Sequence, residues 1–249
     1  MFLTLWATPR STSTAFEWMM RQRGDFRCFH EPFNELYYYG EDRRSQRDAG
    51  VAPKPGHSYA SVWQDLIRQA GEANIFLKDF AYSVEHFIDE GMLDAMQHSF
   101  LIRDPYKVIQ GLANHWPDCS LTEVGLESLA RLFDRIAERD GAPPAVISSD
   151  DLLTRPVATT RAYCERMGIE FVAEALEWEA GERKEVSWYG EGTGPWHNSL
   201  RQSTGIKPQK TSYPPLEDDP RLMDLYEHSL PHYEHLLAHK LEIDKENAA

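Results

Sequence analysis

The sequence is poor in cysteine. Cys28, Cys119 and Cys164 are its only three thiols in 249 residues, and no two of them form a CxxC pair. So sparse and odd a set excludes a disulfide framework and a zinc ribbon, and it points to a reducing, cytoplasmic setting. Positive charge is scarce as well. Lys and Arg number 26 against 40 Asp and Glu, for a net charge of −14. That balance excludes binding to duplex nucleic acid or to an anionic membrane by bulk charge. No stretch reaches the ~20 apolar residues of a membrane helix. The opening run, residues 2–7, is too short for a signal core and has no cationic segment before it, so no signal segment is expected. Gly and Pro are in ordinary supply at 15 each, and 41% of residues are hydrophobic. Collagen, coiled coil and wholesale disorder are excluded, and the length suffices for one well-buried core.

Patterning along the chain predicts alternating strands and helices. Strands are expected at 2–7, 26–29, 75–78, 99–102 and 145–147. A helix runs from the polar turn at 8–14 to about Arg23, with Phe16, Met19 and Met20 on one face. Further helices are expected from Ser58 or Ser61 to about Ala70, from Pro105 to Trp116, over 121–139 and over 156–167, the last stopped by Gly168. Residues 36–57 carry Tyr37, Tyr38 and Tyr39, then Arg43, Arg44 and Arg47. They are expected to form a long loop or lid. Residues 181–215 should be irregular, and a last helix from Pro220 should kink or break at Pro231. Near-continuous apolar strands between helices argue for an α/β fold with three layers: a mostly parallel central sheet with helices on both faces. One domain over 1–243 and a frayed tail at 244–249 are expected.

Two junctions carry chemistry. Thr8-Pro9-Arg10-Ser11-Thr12-Ser13-Thr14 links a strand to a helix. Small hydroxyl residues at a helix start offer backbone N–H groups and the positive helix end to an anion, and Arg10 adds a bidentate charge. The alternative is a plain Ser/Thr cap with an exposed Arg. No GxxxxGK[ST] is present, which argues against ATP-dependent kinase chemistry. The second junction is Leu101-Ile102-Arg103-Asp104-Pro105. An Arg at the end of a parallel strand points into the crevice where such sheets bind ligands. A structural ion pair with Asp104 or another acid at the strand end is the competing account.

In this order the two segments resemble sulfotransferases that use 3′-phosphoadenosine 5′-phosphosulfate (PAPS), on a P-loop, nucleotide-kinase-like architecture. His30-Glu31-Pro32-Phe33, Ser148-Ser149-Asp150-Asp151-Leu152, Arg155-Pro156, Cys164-Glu165-Arg166-Met167-Gly168, Gly194-Pro195-Trp196-His197-Asn198 and Ser203-Thr204-Gly205 are similar to further family segments. The resemblance implies that Arg10, Ser11, Thr12, Ser13 and Thr14 grip the 5′-phosphosulfate and that Arg103 grips the 3′-phosphate. It also implies that Trp196 and His197 cover the nucleotide. Lys78 would be a second cation. Glu31 would be the general base, with His30 as second choice, and a cap or a partner for Arg10 is the structural alternative for Glu31. The implied acceptor is a hydroxyl of a small molecule, an amine being the lesser option, and no metal is called for. A kinase on the same architecture and a non-catalytic nucleotide-binding module are the rival readings. Three positions depart from the family pattern: Thr12 stands for a glycine, Gly111 for a serine eight residues after Arg103, and Ser149 for a tyrosine. His228, His232, His235 and His239 recur at helical spacing; such spacing could bind zinc or nickel, but Pro231 interrupts the register and no Cys lies nearby, so a solvated face is the expected account of them.

Overall fold

A computed structural model describes residues 1–186, 198–208 and 213–243. Trp188, Tyr189, Trp196, His197 and the tail 244–249 lie outside the described residues. The frame is one five-stranded sheet of β1 (Phe2–Ala7), β2 (Arg27–His30), β3 (Ile75–Phe80), β4 (Gln97–Ile102) and β5 (Ala145–Ser148), in the order β2-β3-β1-β4-β5. All four pairings are parallel. β1 and β3 are buried at every position, because helices cover both faces. Alternate side chains feed two cores: Phe2 and Trp6 enter one, Leu3, Leu5 and Ala7 the other. The three-layer α/β expectation holds.

The helices follow as α1 (Ser13–Gln22), α2 (Pro32–Tyr39), α3 (Tyr59–Ala70), α4 (Ala81–Val84), α5 (Glu90–Ala95), α6 (Pro105–Ala113), α7 (Leu121–Val124), α8 (Leu126–Asp140), α9 (Ser149–Thr154), α10 (Pro156–Met167), α11 (Asn198–Gln202) and α12 (Pro220–Leu237). Ser58 caps α3 through a reciprocal box with Ser61. Four expectations need correction. The segment expected as a loop from Leu36 begins as helix, since Pro32 sits at the first turn of α2 and Tyr38 is buried. The expected helix over 121–139 is two, divided at Gly125, whose φ of +79° suits glycine. Lys78 does not close its strand, because β3 runs on to Phe80. Pro231 does not break α12, which stays helical through it while Leu225 and Leu236 anchor it to the core. The histidine stripe is largely solvated as expected, with His228, His235 and His239 exposed and His232 half-buried, and it also faces α8. His228 and His235 meet Glu127 and Asp134 of α8, and the rings of His235 and His239 rest on Phe133. No helix among the described residues is long and apolar enough to cross a membrane.

Candidate active site

The segments after β1, β2, β3, β4 and β5 meet at the C-terminal edge of the sheet, around a cavity of about 800 Å³. This is the edge where parallel α/β sheets place their ligands. Residues 9–15, Glu31, Lys78, Arg103, Gly111, Trp116 and Asp150 all line it. The sequence segments 8–14 and 101–105, far apart in the chain, are therefore neighbours in space.

The loop after β1 is held in a demanding conformation. Among the described residues four non-glycines have positive φ, and three of them line the cavity: Arg10 (60°), Thr12 (75°) and Glu31 (48°). Left-handed backbone is costly for residues with a side chain, above all a β-branched one, and such strain gathers at functional sites. Thr12, at the cap position of α1, makes no capping bond with its side chain. Its Oγ1 instead lies 3.0 Å from Ser149 Oγ, so two of the departures from the family pattern meet in one contact. The third is also explained. A Cβ at Gly111 would stand 3.2 Å from Cγ and Nε of Arg10, so the missing side chain is the space in which Arg10 lies. Ser11 is buried and donates to the Thr8 carbonyl at 2.6 Å, tightening the turn.

Arg103 serves that loop directly. Its Nη1 donates to the Arg10 carbonyl at 2.6 Å, while its buried Nε finds no acceptor among the described residues. Asp104 does not pair with it; that carboxylate caps α6 at Tyr106 N. Burial holds the Arg103 guanidinium below its ordinary pKa. A half-buried guanidinium that lines the cavity is suited to an anion.

Beside the loop, β2 and β3 bring together a row of alternating charges. Lys78 and His30 are register partners on adjacent strands. Lys78 Nζ pairs with Glu31 Oε1, and Asn34 Nδ2 donates to Glu31 Oε2 at 3.2 Å. His30 Nε2 is 3.7 Å from Glu31 Oε1, and His30 Nδ1 is 2.6 Å from Glu17 Oε2. Glu17, 0% exposed, takes both Nε and Nη2 of Arg21 on its Oε1. Burial pushes the Glu17 carboxyl up, but His30, Arg21 and Lys78 outweigh it and bring it down to about 2. Burial pulls Lys78 down to about 8 against the carboxylates of Glu17 and Asp79, and it lowers His30 against Glu17. Glu31 neither caps α2 nor pairs with Arg10 in this row. Asp79 does the capping, accepting from Phe33 N at 2.7 Å and Asn34 N at 3.1 Å, which leaves the Glu31 carboxylate to Lys78 and the cavity. Burial pushes Asp79 up to about 7 against those donors.

Residues 1–240 match the sulfotransferase domain family. The chain belongs to that family. Among curated proteins, the branched-chain-amino-acid aminotransferase-like proteins 2 and 1 of Arabidopsis thaliana are 30% and 31% identical over 94% of this chain. The chain spans 41% of the length of each, so their names describe much longer proteins. Two solved structures share the fold. The sulfotransferase domain from the Synechococcus PCC 7002 olefin synthase is 18% identical, with a TM-score of 0.54 over 97% of this chain and 96% of its own. That from the curacin biosynthetic pathway is 13% identical, with a TM-score of 0.51 over 97% and 98%. At such identities they speak to architecture alone, and they agree with the parallel sheet described above.

Within this sulfotransferase-family fold, Arg10, Ser11, Thr12, Ser13, Thr14, Glu31, Lys78 and Arg103 line one cavity. His30 does not; it stands behind Glu31. Glu17, Asn34 and Asp79 were not singled out by sequence as parts of this site. Only Glu17 offered a cue: it lies three residues before Met20, on the side of α1 that the apolar spacing marks as buried.

Proposed function

We propose that the chain transfers a sulfuryl group from PAPS to a hydroxyl of a small-molecule acceptor, an amine being the lesser option. The observation that supports this most is the convergence on one cavity of an uncapped helix N-terminus, the Arg10 loop and the Glu31–Lys78 pair. The donor suits the residues present: the α1 start and Arg10 for the phosphosulfate, the cavity-lining Arg103 guanidinium for the 3′-phosphate. The acceptor oxygen attacks sulfur in line with the departing phosphate oxygen. Its proton passes to the Glu31 carboxylate, the new O–S bond forms, and the S–O bond to adenosine 3′,5′-bisphosphate breaks. Lys78 and Arg10 balance the negative charge on the sulfuryl oxygens and the leaving phosphate. Phe80, Tyr82, Leu112 and Trp116 wall the same cavity and suit an acceptor with an apolar body. Calorimetric titration tests the donor. Adenosine 3′,5′-bisphosphate should bind at least about tenfold tighter than AMP, since one charge-assisted contact contributes roughly 1.5–3 kcal/mol. Arg103→Ala should erase most of that gap. Equal binding of the two nucleotides by the unaltered protein overturns the PAPS reading.

A further inference from the structure

We propose that Glu127, His228 and His232 form a binding site for one divalent ion of the zinc class, clamping α12 to α8. The three offer ligand atoms that all lie within 4.8 Å of one another. His228 and His232 are four apart on one continuous helix, a spacing that aligns two imidazoles on one face. α8 supplies the carboxylate. Glu127 Oε2 is already 3.3 Å from His228 Nε2. With zinc bonds of about 2.0–2.2 Å, ligand atoms in a tetrahedral site lie roughly 3.3 Å apart, so only His232 must close in. The other carboxylate oxygen of Glu127 is held by Arg131 Nη1 at 2.6 Å, the kind of outer contact that orients a metal-binding carboxylate. The site is half-exposed, so water can complete the coordination sphere.

The chemistry of the donors selects the ion. Two imidazoles and one carboxylate suit zinc, copper or nickel, whereas calcium and magnesium favour all-oxygen shells. The Arg131 cation works against a second positive charge nearby, but both are solvent-exposed and screened. Further along the seam, His235 meets Asp134 at 2.7 Å, and the His239 ring lies tilted against Phe133. That pair makes no comparable triad among the described residues. Because α12 packs on both α6 and α8, an ion here fixes to α8 a helix that also lies against α6, which carries Gly111.

The experiment is a calorimetric titration of Zn²⁺ into the full chain, free of any polyhistidine tag, with thermal melting in parallel. One ion per chain and a rise in Tm are expected. Losing a direct ligand should cost at least the roughly 10- to 100-fold in affinity that losing an outer partner costs. His232→Ala and Glu127→Gln should each show that loss and abolish the zinc-dependent rise in Tm, whereas His239→Ala should keep both. Affinity should also fall as the pH drops through the imidazole range, since protons compete for the ring nitrogens. Failure to bind Zn²⁺, binding only at millimolar concentrations, or equal affinity in His232→Ala overturns the site. None of these readouts depends on sulfuryl transfer.

Discussion

The two ends of the cavity are built in opposite ways. The end formed by residues 9–15 is made of consecutive residues whose backbone is bent into left-handed turns, with Arg10 and Thr12 both at positive φ. The end around Glu31 is made of side chains from α1, β2 and β3, buried in a row and held by one another. The first presents donors to a ligand through local geometry. The second sets the charge of one carboxylate through partners distant in sequence. Substitutions should therefore affect binding and charge stabilisation at one end and proton transfer at the other.

The largest effects test that division at its centre. Glu31→Gln should lower kcat by on the order of 10²–10⁴ while leaving affinity for adenosine 3′,5′-bisphosphate nearly intact. Arg10→Ala should lower kcat by about 10²–10³ in a protein that stays folded. If His30→Ala is the crippling change and Glu31→Gln is mild, the base has been misassigned. Glu17→Ala should destabilise by about 3–5 kcal/mol, because it leaves Arg21 and His30 without their buried carboxylate. Denaturant titration measures it, and a loss under 1 kcal/mol would show that the buried row is not a structural unit.

The pH profile sharpens the same comparison. With Lys78 at about 8, its charge is present below that pH and lost above it. The kcat profile should then fall on an alkaline limb with a midpoint near that value, and Lys78→Arg should push the limb upward, since Arg stays charged. A flat profile through pH 9 in the unaltered protein would separate Lys78 from the reaction. The smallest effect lies at the loop. A double-mutant cycle with Thr12→Val and Ser149→Ala should give a coupling of about 0.5–1.5 kcal/mol, the net worth of one hydrogen bond. Additive changes would leave Thr12 to hold its strained turn without Ser149.

What could be read from sequence divides along the same line. The Thr8–Thr14 junction and Arg103 were legible because each stands where a strand gives way to a helix, a transition that local pattern reveals. The parallel sheet was legible for the same reason. The Glu31 end was only half legible. Glu31 and Lys78 were picked out individually, but their contact spans 47 residues, and no periodicity encodes such a pairing. The left-handed turns at Arg10 and Glu31 were invisible because neither residue type announces a positive φ as glycine does, and at Thr12 the family's glycine was the one hint. Pro231 misled for a related reason: packing of α12 on its neighbours overrode a local helix-breaking preference.

The hydrogen bond from Arg103 to the Arg10 carbonyl has a practical meaning for anyone who alters this protein. Arg103→Ala is a double lesion. It deletes a cation from the cavity and also unties the strained backbone beneath Arg10, so a fall in both affinity and turnover follows from one change. Arg103→Lys and Arg103→Ala with added guanidinium separate the two. Charge restored without the fork should recover part of the affinity, and in Arg103→Ala the free guanidinium, able to reach the vacated carbonyl, should recover the rate.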